Sequence, residues 1–291
     1  MAKLAYLRRS LISQVITDRF KCPNCASQRN QVVDRKLFIT QLRRCRDCHL
    51  MFRTPTDDPA ANEGFYEKEY QQGFTSTVPS DAALAEMLQT NFAGTEKNYS
   101  YYLDVLTQLG LKSGSKIFDF GCSWGYGSFQ LANAGFSVTS FEVAPGRRRY
   151  AKEKVGVAVI DDMAQAVTDL EGQFDCFFSA HVVEHVPSPA AVFDYAMRLL
   201  KQGGIFVSFT PNGSASHRAS SGTWSKLWGE VHPTFIDDVF LDYSFRGSPR
   251  AAGSSPIKNA MVPATIELSR LNQLEGSEIF FAARKIKDGW A

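Results

Sequence analysis

Four cysteines near the N-terminus, Cys22, Cys25, Cys45 and Cys48, form two C-x2-C pairs separated by nineteen residues. Each pair, CPNC and CRDC, fits a tight turn that lets both sulfurs face one ion. Four soft thiolates in tetrahedral array favour Zn²⁺, and a closed four-ligand shell is a structural site rather than a catalytic one. A module of roughly thirty residues buries too little to fold unaided, so the metal would hold it together. Val32, Val33, Leu37, Phe38 and Ile39 suit a short hairpin joining the two knuckles. Unpaired thiols or a redox couple are the competing reading, and the symmetric spacing speaks against them. The ribbon says little about function, because RNA, protein and substrate are equal candidates for its partner.

A second cluster lies far along the chain: His181, Glu184 and His185 in the run AHVVEHV, with His232 in EVHPTF. A histidine with a carboxylate three or four residues away can take a proton while the acid orients it, and the same groups can ligate a divalent ion. The plain alternative is that Glu184 and His185 cap the following helix and line a pocket without chemistry.

The elements that would position these residues follow from the hydrophobic pattern. KIFDF, SVTSFE, VAVI, FDCFFSA and GIFVSFT are short apolar strands, separated by helical stretches notably at 146–155 and 188–201. Repeated βα units predict a mainly parallel sheet with helices on both faces. The end differs, because ATIELSR and SEIFFAARK, joined at NQLEG, read as an antiparallel hairpin closing the sheet. In parallel sheets ligands bind at the carboxyl ends of the strands, and the histidine cluster follows the fourth strand on that edge.

The turn after the first strand, GCSWGYG, places Gly121 and Gly125 where the backbone can approach a ligand, ahead of a helix presenting free N–H groups. Glu142 ends the second strand, where an acid can accept both ribose hydroxyls. Asp162 follows the third, where a carboxylate can accept from an adenine amine with Met163 against the ring. Asp119 lies beneath the turn. Three acids at successive strand ends favour a neutral or cationic nucleoside over a pyrophosphate, and the missing P-loop lysine points away from ATP. Cys122 lies in the same turn; it and Cys176, within a strand, read as small buried residues. Arg147–Arg149 read as a solvated helix face.

FDFGCSWGYG, Glu142, the Asp162–Met163 pair, FDCFFSAHVVEHV and the glycines at 203–204 resemble the class I S-adenosylmethionine-dependent methyltransferases over residues 93–285. With the cysteine pairs and FYEKEY, the chain is similar to the zinc-ribbon methyltransferases of saccharide and secondary-metabolite pathways. Ser123 departs from the family pattern, which has glycine there.

The resemblance implies S-adenosylmethionine as cofactor, held by Asp119, Gly121, Cys122, Gly125, Glu142, Asp162 and Met163. Tyr66 and Tyr70 join these candidates, although docking the ribbon is the commoner fate of such aromatics. It implies a Rossmann-like seven-stranded sheet, mostly parallel with an antiparallel C-terminal hairpin, preceded by a small four-cysteine zinc ribbon. The expected divisions are an N-terminal helix at 1–20, the ribbon at 21–55, a helical linker or cap at 56–110, and the cofactor domain at 111–291.

Related sugar methyltransferases carry an equivalent Glu-His pair associated with acid–base work, which makes His185 a general base oriented by Glu184. Some metal-dependent O-methyltransferases carry Glu-x-x-Glu-His plus a distant His, which makes His181, Glu184, His185 and His232 a second divalent metal site. With His181 in place of the first Glu, Fe, Mn or Zn suits that set better than Mg²⁺.

Bulk properties agree with an enzyme of this size. The 291 residues are 44% hydrophobic and carry a net charge of +2. Residues 1–50 hold eleven basic against three acidic side chains, leaving the remainder at about −6, and thiolates on zinc would offset part of that positive charge. No apolar run reaches transmembrane length and the N-terminus lacks a signal-peptide pattern, so a cytoplasmic protein is expected. The N-terminal stretch reads as an amphipathic helix with Leu4, Leu7, Leu11 and Val15 on one side. The aromatic insertion at 211–232, with Trp224 and Trp228, suits a lid over the acceptor, and 247–256 reads as a flexible surface loop.

The expected activity is O-methylation, with C-methylation behind it, of a saccharide or similar small metabolite. RNA methylation gripped by the basic ribbon is the alternative, without an NPPY-like tetrapeptide or paired catalytic cysteines to support it. A binding protein that kept the fold without turnover is a third reading.

Overall fold

Ile117, Phe118, Cys176, Phe177, Phe178, Phe206 and Val207 are all fully or almost fully buried, so the strands that carry them have helices on both faces. The structure is a computed structural model that describes residues 2–57, 78–255, 266, 268, 274, 276–286 and 290. Its main sheet contains β4 (Lys116–Phe120), β5 (Ser137–Phe141), β6 (Val159–Ile160), β7 (Phe174–Ala180), β8 (Leu200–Pro211), β10 (Arg250–Ser255) and β11 (Glu278–Arg284). The spatial order is β10-β11-β8-β7-β4-β5-β6. The strands from β6 to β8 run parallel, and β11 is antiparallel to both β8 and β10. This is the seven-stranded, mostly parallel α/β sheet that the pattern predicted. The strand order reverses at β4, which lies between β5 and β7, so the crevice for a ligand opens at the carboxyl ends of β4 and β7.

Helices α2 (Asp81–Gln89) and α3 (Ser100–Gln108) precede the sheet. Helices α4 (Tyr126–Asn133), α5 (Pro145–Tyr150, continued by a π turn through Val155), α6 (Met163–Asp169) and α7 (Pro189–Leu199) alternate with its strands, and α8 (Ala215–Ser220) and α9 (Asp238–Ser244) follow β8. Side-chain alternation divides the core by face. Phe118, Phe177, Phe206 and Phe281 pack toward α7 and α9. Ile117, Cys176, Phe178 and Val207 pack with Val105 and Leu106 of α3 and Leu131 of α4.

Before this domain, α1 (Ala2–Ile12) leads into β1 (Asn30–Lys36), β2 (Thr40–Cys45) and β3 (Met51–Thr54), an antiparallel ribbon sheet. Its fourth strand comes from the other end of the chain: β9 (Thr234–Phe235) pairs with β3 through Met51↔Phe235 and Phe52↔Thr234. Cys22, Cys45, Cys48, Leu50 and Phe52 belong to the same buried cluster as Phe118 and Phe177. Ribbon and sheet therefore share a hydrophobic core.

Three expectations need correction. The outer strand paired with β11 is Arg250–Ser255, within the stretch read as a flexible loop, because β11 offers its backbone an antiparallel edge and Gly253 leaves room for the Phe280 ring. Most of 264–270, the segment expected there, lies outside the described residues. Helix α1 buries Tyr6 and Ser10 rather than Leu11 or Val15, which are exposed. Tyr6 lies under the Arg53 guanidinium, 5.4 Å from ring to cation, so a specific cation–π contact decided the face. Trp228 is buried against Leu42, Met51 and Phe235, so that part of the insertion docks on the ribbon rather than hanging over the site as a lid.

Phe206 sits at the centre of an aromatic group, with Phe245, Phe193 and Phe177 centroids 5.2, 5.5 and 5.9 Å away. Phe206→Ala is expected to destabilise the protein by about 3–5 kcal/mol. Urea denaturation would show a lowered midpoint with an unchanged slope if the loss is local to this core.

Candidate functional site

At the carboxyl end of β4 the chain turns sharply. Gly121 N–H and Cys122 N–H both donate to the Phe141 carbonyl at the end of β5, at 2.8 and 3.0 Å. Gly121 has φ +84°, and an added Cβ would come within 2.4 Å of Val182, so only glycine lets this turn pack against residues 181–185. Ser123 also occupies the left-handed region, with φ +54°. It does the backbone work of the glycine it replaces. Its N–H donates to Glu142 Oε2 at 2.9 Å, while its hydroxyl accepts from Arg147 Nη1 at 3.0 Å.

Glu142 is buried and also accepts from Ala144 N–H at 2.8 Å. Burial raises its pKa, while these donors and the cation of Arg147 oppose that rise. Arg147 is only 5% exposed, so the expectation of a solvated face is wrong for this residue. A carboxylate inside the fold required a cation nearby, and sequence patterning could not show that.

Asp119 lies beneath the turn and accepts from Ser128 Oγ at 2.6 Å. Burial raises its pKa to about 6 despite that bond. Asp162 caps α6, accepting from Gln165 N–H at 3.0 Å, and is exposed, whereas Met163 is buried. Cys122 and Cys176 are buried with thiol pKa values pushed up by desolvation, in keeping with a packing role. Tyr66 and Tyr70 lie outside the described residues.

Beyond β7, residues 181–188 form a tight turn rather than a helix. Neither Glu184 nor His185 caps α7; Asn24 of the first cysteine knuckle does, accepting from Ala190 N–H at 2.8 Å. Glu184 is 1% exposed. Its Oε2 accepts from Thr210 Oγ1 of β8 at 3.1 Å, and its Oε1 lies 3.4 Å from His181 Nδ1 with no hydrogen bond of its own. Burial alone would raise its pKa, but His181, His185 and His232 hold it near 2.

The three histidines differ. His181 stands at the mouth with its side chain 45% exposed, its ring between Glu184 and Glu278, whose carboxylate it bonds through Nε2. Desolvation works against its charged form, yet the two acids raise its pKa to about 10, so it is an imidazolium at neutral pH. His185 is buried, and desolvation lowers its pKa to about 4 against the pull of Glu184. Its Nδ1 lies 2.8 Å from the Val231 carbonyl, and His232 Nδ1 lies 2.7 Å from the Leu227 carbonyl. A carbonyl only accepts, so each Nδ1 carries a proton, and the buried His185 ring, its pKa lowered, presents Nε2 as a base.

One ligand atom from each of Glu184, His185 and His232 lies within 4.8 Å of the others. His181 is absent from that set. The four residues expected to converge therefore do not all do so: His181 turns its Nε2 to Glu278 instead. Glu278, Thr210 and Tyr102, whose hydroxyl donates to Glu278 at 3.2 Å, escaped the sequence reading. The one available signal was a lone acid opening the apolar strand EIFFAAR.

The four ribbon sulfurs also converge. Cys22 Sγ lies 3.6 Å from Cys48 Sγ, Cys25 Sγ lies 3.6 Å from Cys45 Sγ, and all four are within 4.8 Å of one another. A tetrahedral ion with metal–sulfur distances of about 2.3 Å places its ligands about 3.8 Å apart, so the donor set fits. Hydrogen bonding to Cys48 and burial raise the Cys22 pKa, while Cys48 is held low by bonds from its neighbours. One thiolate shared among crowded thiols is a site that a divalent cation can take by displacing protons.

Fold and site thus define an α/β domain with a glycine turn at the reversal of its sheet and a four-cysteine ribbon. Residues 118–208 match the family model described as Methyltransferase domain. A ubiquinone biosynthesis O-methyltransferase of Xylella fastidiosa (strain 9a5c) is 37% identical over 114 residues, covering 36% of this chain and 46% of that protein. One from Xanthomonas oryzae pv. oryzae (strain PXO99A) is 34% identical over 103 residues, covering 33% and 43%. The chain spans less than half the length of these curated relatives. A solved S-adenosylmethionine-dependent methyltransferase from Archaeoglobus fulgidus superposes with a TM-score of 0.47 at 16% identity, over 69% of this chain and 99% of that one. The matched residues 118–208 thus resemble a methyltransferase domain and run from β4 into β8 of the main sheet. Among the described residues, no helix is long and apolar enough to cross a membrane.

Hydrogen bonds to a charged group are worth about 1.5–3 kcal/mol each, so Glu142→Ala should weaken S-adenosylhomocysteine binding by at least about tenfold in calorimetry. Asp119 yields a pH prediction. A carboxylate with a raised folded pKa destabilises the ligand-free protein above about pH 6, and that penalty fades as pH falls toward about 4. Denaturation curves should show the wild type gaining stability relative to Asp119→Asn, by about 2–3 kcal/mol, between pH 7 and pH 4.

Proposed function

We propose that this chain transfers a methyl group from S-adenosylmethionine to an oxygen of a small hydroxylated acceptor, a saccharide or related metabolite, with zinc holding the ribbon. The observation that carries this reading is the packing of the cofactor turn on the reacting turn. Gly121 lies against Val182, two residues before Glu184 and three before His185, at the reversal point of the sheet.

The chemistry is an in-line displacement. The acceptor oxygen bonds to the methyl carbon as the carbon–sulfur bond breaks, and that electron pair stays on sulfur to give S-adenosylhomocysteine. The acceptor's proton passes to His185 Nε2, the position left basic by the bond from Nδ1 to Val231. Glu184 stabilises the imidazolium that forms, and His181, already cationic between Glu184 and Glu278, sets a positive charge at the mouth. Small-molecule O-methylation also agrees with what the Xylella and Xanthomonas relatives are named for.

One observation favours a second reading of the same residues. Glu184, His185 and His232 form a set of one carboxylate and two imidazoles whose rings are already fixed by backbone carbonyls, as metal-ligating histidines usually are. A divalent ion there would lower the acceptor hydroxyl pKa.

The RNA reading loses support, because much of the ribbon's basic character is spent internally: Arg44 on Asp237, Arg53 on Asp57, Arg43 on Gln41 and Asn30, and Lys36 on Trp228. A cytoplasmic setting, where thiols stay reduced, suits the cysteine ribbon.

The test is a turnover screen with sugars, nucleotide-sugars, phenols and RNA, using wild type and His185→Gln. Methylation of a hydroxylated small molecule, reduced on the order of 10²–10⁴-fold in the variant with S-adenosylhomocysteine affinity kept, is the expected result. Loss of wild-type turnover on chelation mild enough to leave the ribbon zinc bound, restored by Mn²⁺ or Fe²⁺, selects the metal reading. Cofactor binding with no turnover on any acceptor would leave a binding protein.

A further inference from the structure

We infer that the cysteine ribbon is the positioning module of the acceptor end: its metal-bound knuckles set the placement of His185 and His232, and Asp34 and Lys36 are its positioning residues. This rests on reading residues 181–185 and 232 as the reacting end.

Two routes connect the cysteines to the histidines. The first begins at Cys45 and Cys48, whose knuckle joins β2 to β3 and is closed by Cys45 N–H donating to the Leu50 carbonyl at 2.9 Å. Strand β3 starts only three residues after Cys48 and pairs with β9. Arg53 N–H donates to the Pro233 carbonyl at 2.8 Å, immediately beside His232. On its other side β9 reaches the reacting turn, because Thr234 N–H and Oγ1 donate to the Glu184 carbonyl at 3.3 and 3.1 Å. Strand β9 is thus held between the ribbon and Glu184. The second route begins at Cys22 and Cys25, where Asn24 caps α7 directly after the reacting turn.

The hairpin between the knuckles supplies a further grip. Trp228 Nε1 donates to Asp34 Oδ2 at 2.9 Å, and Lys36 Nζ lies 4.1 Å from the Trp228 ring and donates to its carbonyl. Trp228 sits between Leu227, whose carbonyl fixes the His232 ring, and the Gly229–His232 turn, closed at 3.0 Å. That turn also contains Val231, whose carbonyl fixes His185. The carbonyls that choose both histidine tautomers therefore belong to a segment with little regular structure of its own, a 3-10 turn and a two-residue strand. The ribbon supplies its rigidity.

The cofactor turn is built differently. The bonds that shape Gly121, Ser123 and Glu142 run among the ends of β4 and β5 and the start of α5, within the sheet domain itself. Loosening the ribbon should disorder the acceptor end and leave the cofactor end in place.

The experiment uses full-length protein with its five histidines labelled at the ring carbon, assigned by single His→Gln variants and read by NMR. Asp34→Ala/Lys36→Ala should shift or broaden the His185 and His232 signals. Its zinc content should match wild type, and its S-adenosylhomocysteine affinity should stay within about threefold. Asp34→Asn/Lys36→Arg, which keeps an acceptor and a cation, should restore both signals. Removing zinc with a chelator should move the same two signals without abolishing S-adenosylhomocysteine binding. Unmoved His185 and His232 signals in the double alanine variant would overturn the inference. So would loss of cofactor binding together with zinc, since the ribbon would then support the whole fold. Failure of untreated wild type to bind S-adenosylhomocysteine would instead remove the methyltransferase reading and leave the histidine measurement standing.

Discussion

A carboxylate taken out of water costs several kcal/mol unless its surroundings replace the lost hydration, and Glu184 is almost completely buried at the reacting edge of the sheet. The neighbours of Glu184 come from its own turn and from three other parts of the chain. Thr210 comes from β8, His181 and His185 from its own turn, His232 from the segment before β9, and Glu278, which completes the charge pairing of His181, from β11. Its backbone carbonyl is claimed by Thr234. Satisfying this one buried charge joins the parallel half of the sheet, its antiparallel edge and the ribbon.

The cofactor turn solves a similar problem at smaller scale. Glu142 is buried and bonded to two backbone N–H groups, with Arg147 drawn inside to balance it. Ser123 shows how the family's glycine can be replaced. The residue adopts the left-handed backbone, and its hydroxyl accepts from the arginine, an interaction glycine could not make. The two acids end up in different electrostatic states. Glu184, surrounded by imidazoles, is held strongly ionised, whereas burial raises the Glu142 and Asp119 pKa values. Environments that separate the pKa values of similar groups are a frequent mark of sites that perform chemistry.

The ribbon differs from a bead on a linker in two respects. Its sheet is completed by β9, and Cys22, Cys45 and Cys48 share a buried cluster with the central strands. Three of its basic side chains, Arg53, Arg44 and Lys36, turn inward to Asp57, Asp237 and the Trp228 carbonyl. The uneven charge along the sequence is thus largely an intramolecular matter. The acidic later part of the chain balances the basic N-terminus across an interface within one molecule.

The sequence by itself determined the local and periodic features. Alternating apolar strands and helices specified a mostly parallel sheet, because strand burial on both faces leaves a pattern that needs no tertiary information. Cysteine spacing specified the knuckles, because both pairs are local. Glycines and acids at strand ends marked the cofactor edge for the same reason. Tertiary structure alone decided the rest. Glu278 joins His181 across ninety-seven residues, the tautomers of His185 and His232 depend on two carbonyls that carry no side-chain signal, and Arg250–Ser255 becomes a strand only because β11 offers it an edge. The buried face of the N-terminal helix, Trp228 and Arg147 were misread for a related reason: periodicity and composition show that a residue can be buried, but the partner that buries it comes from elsewhere in the chain.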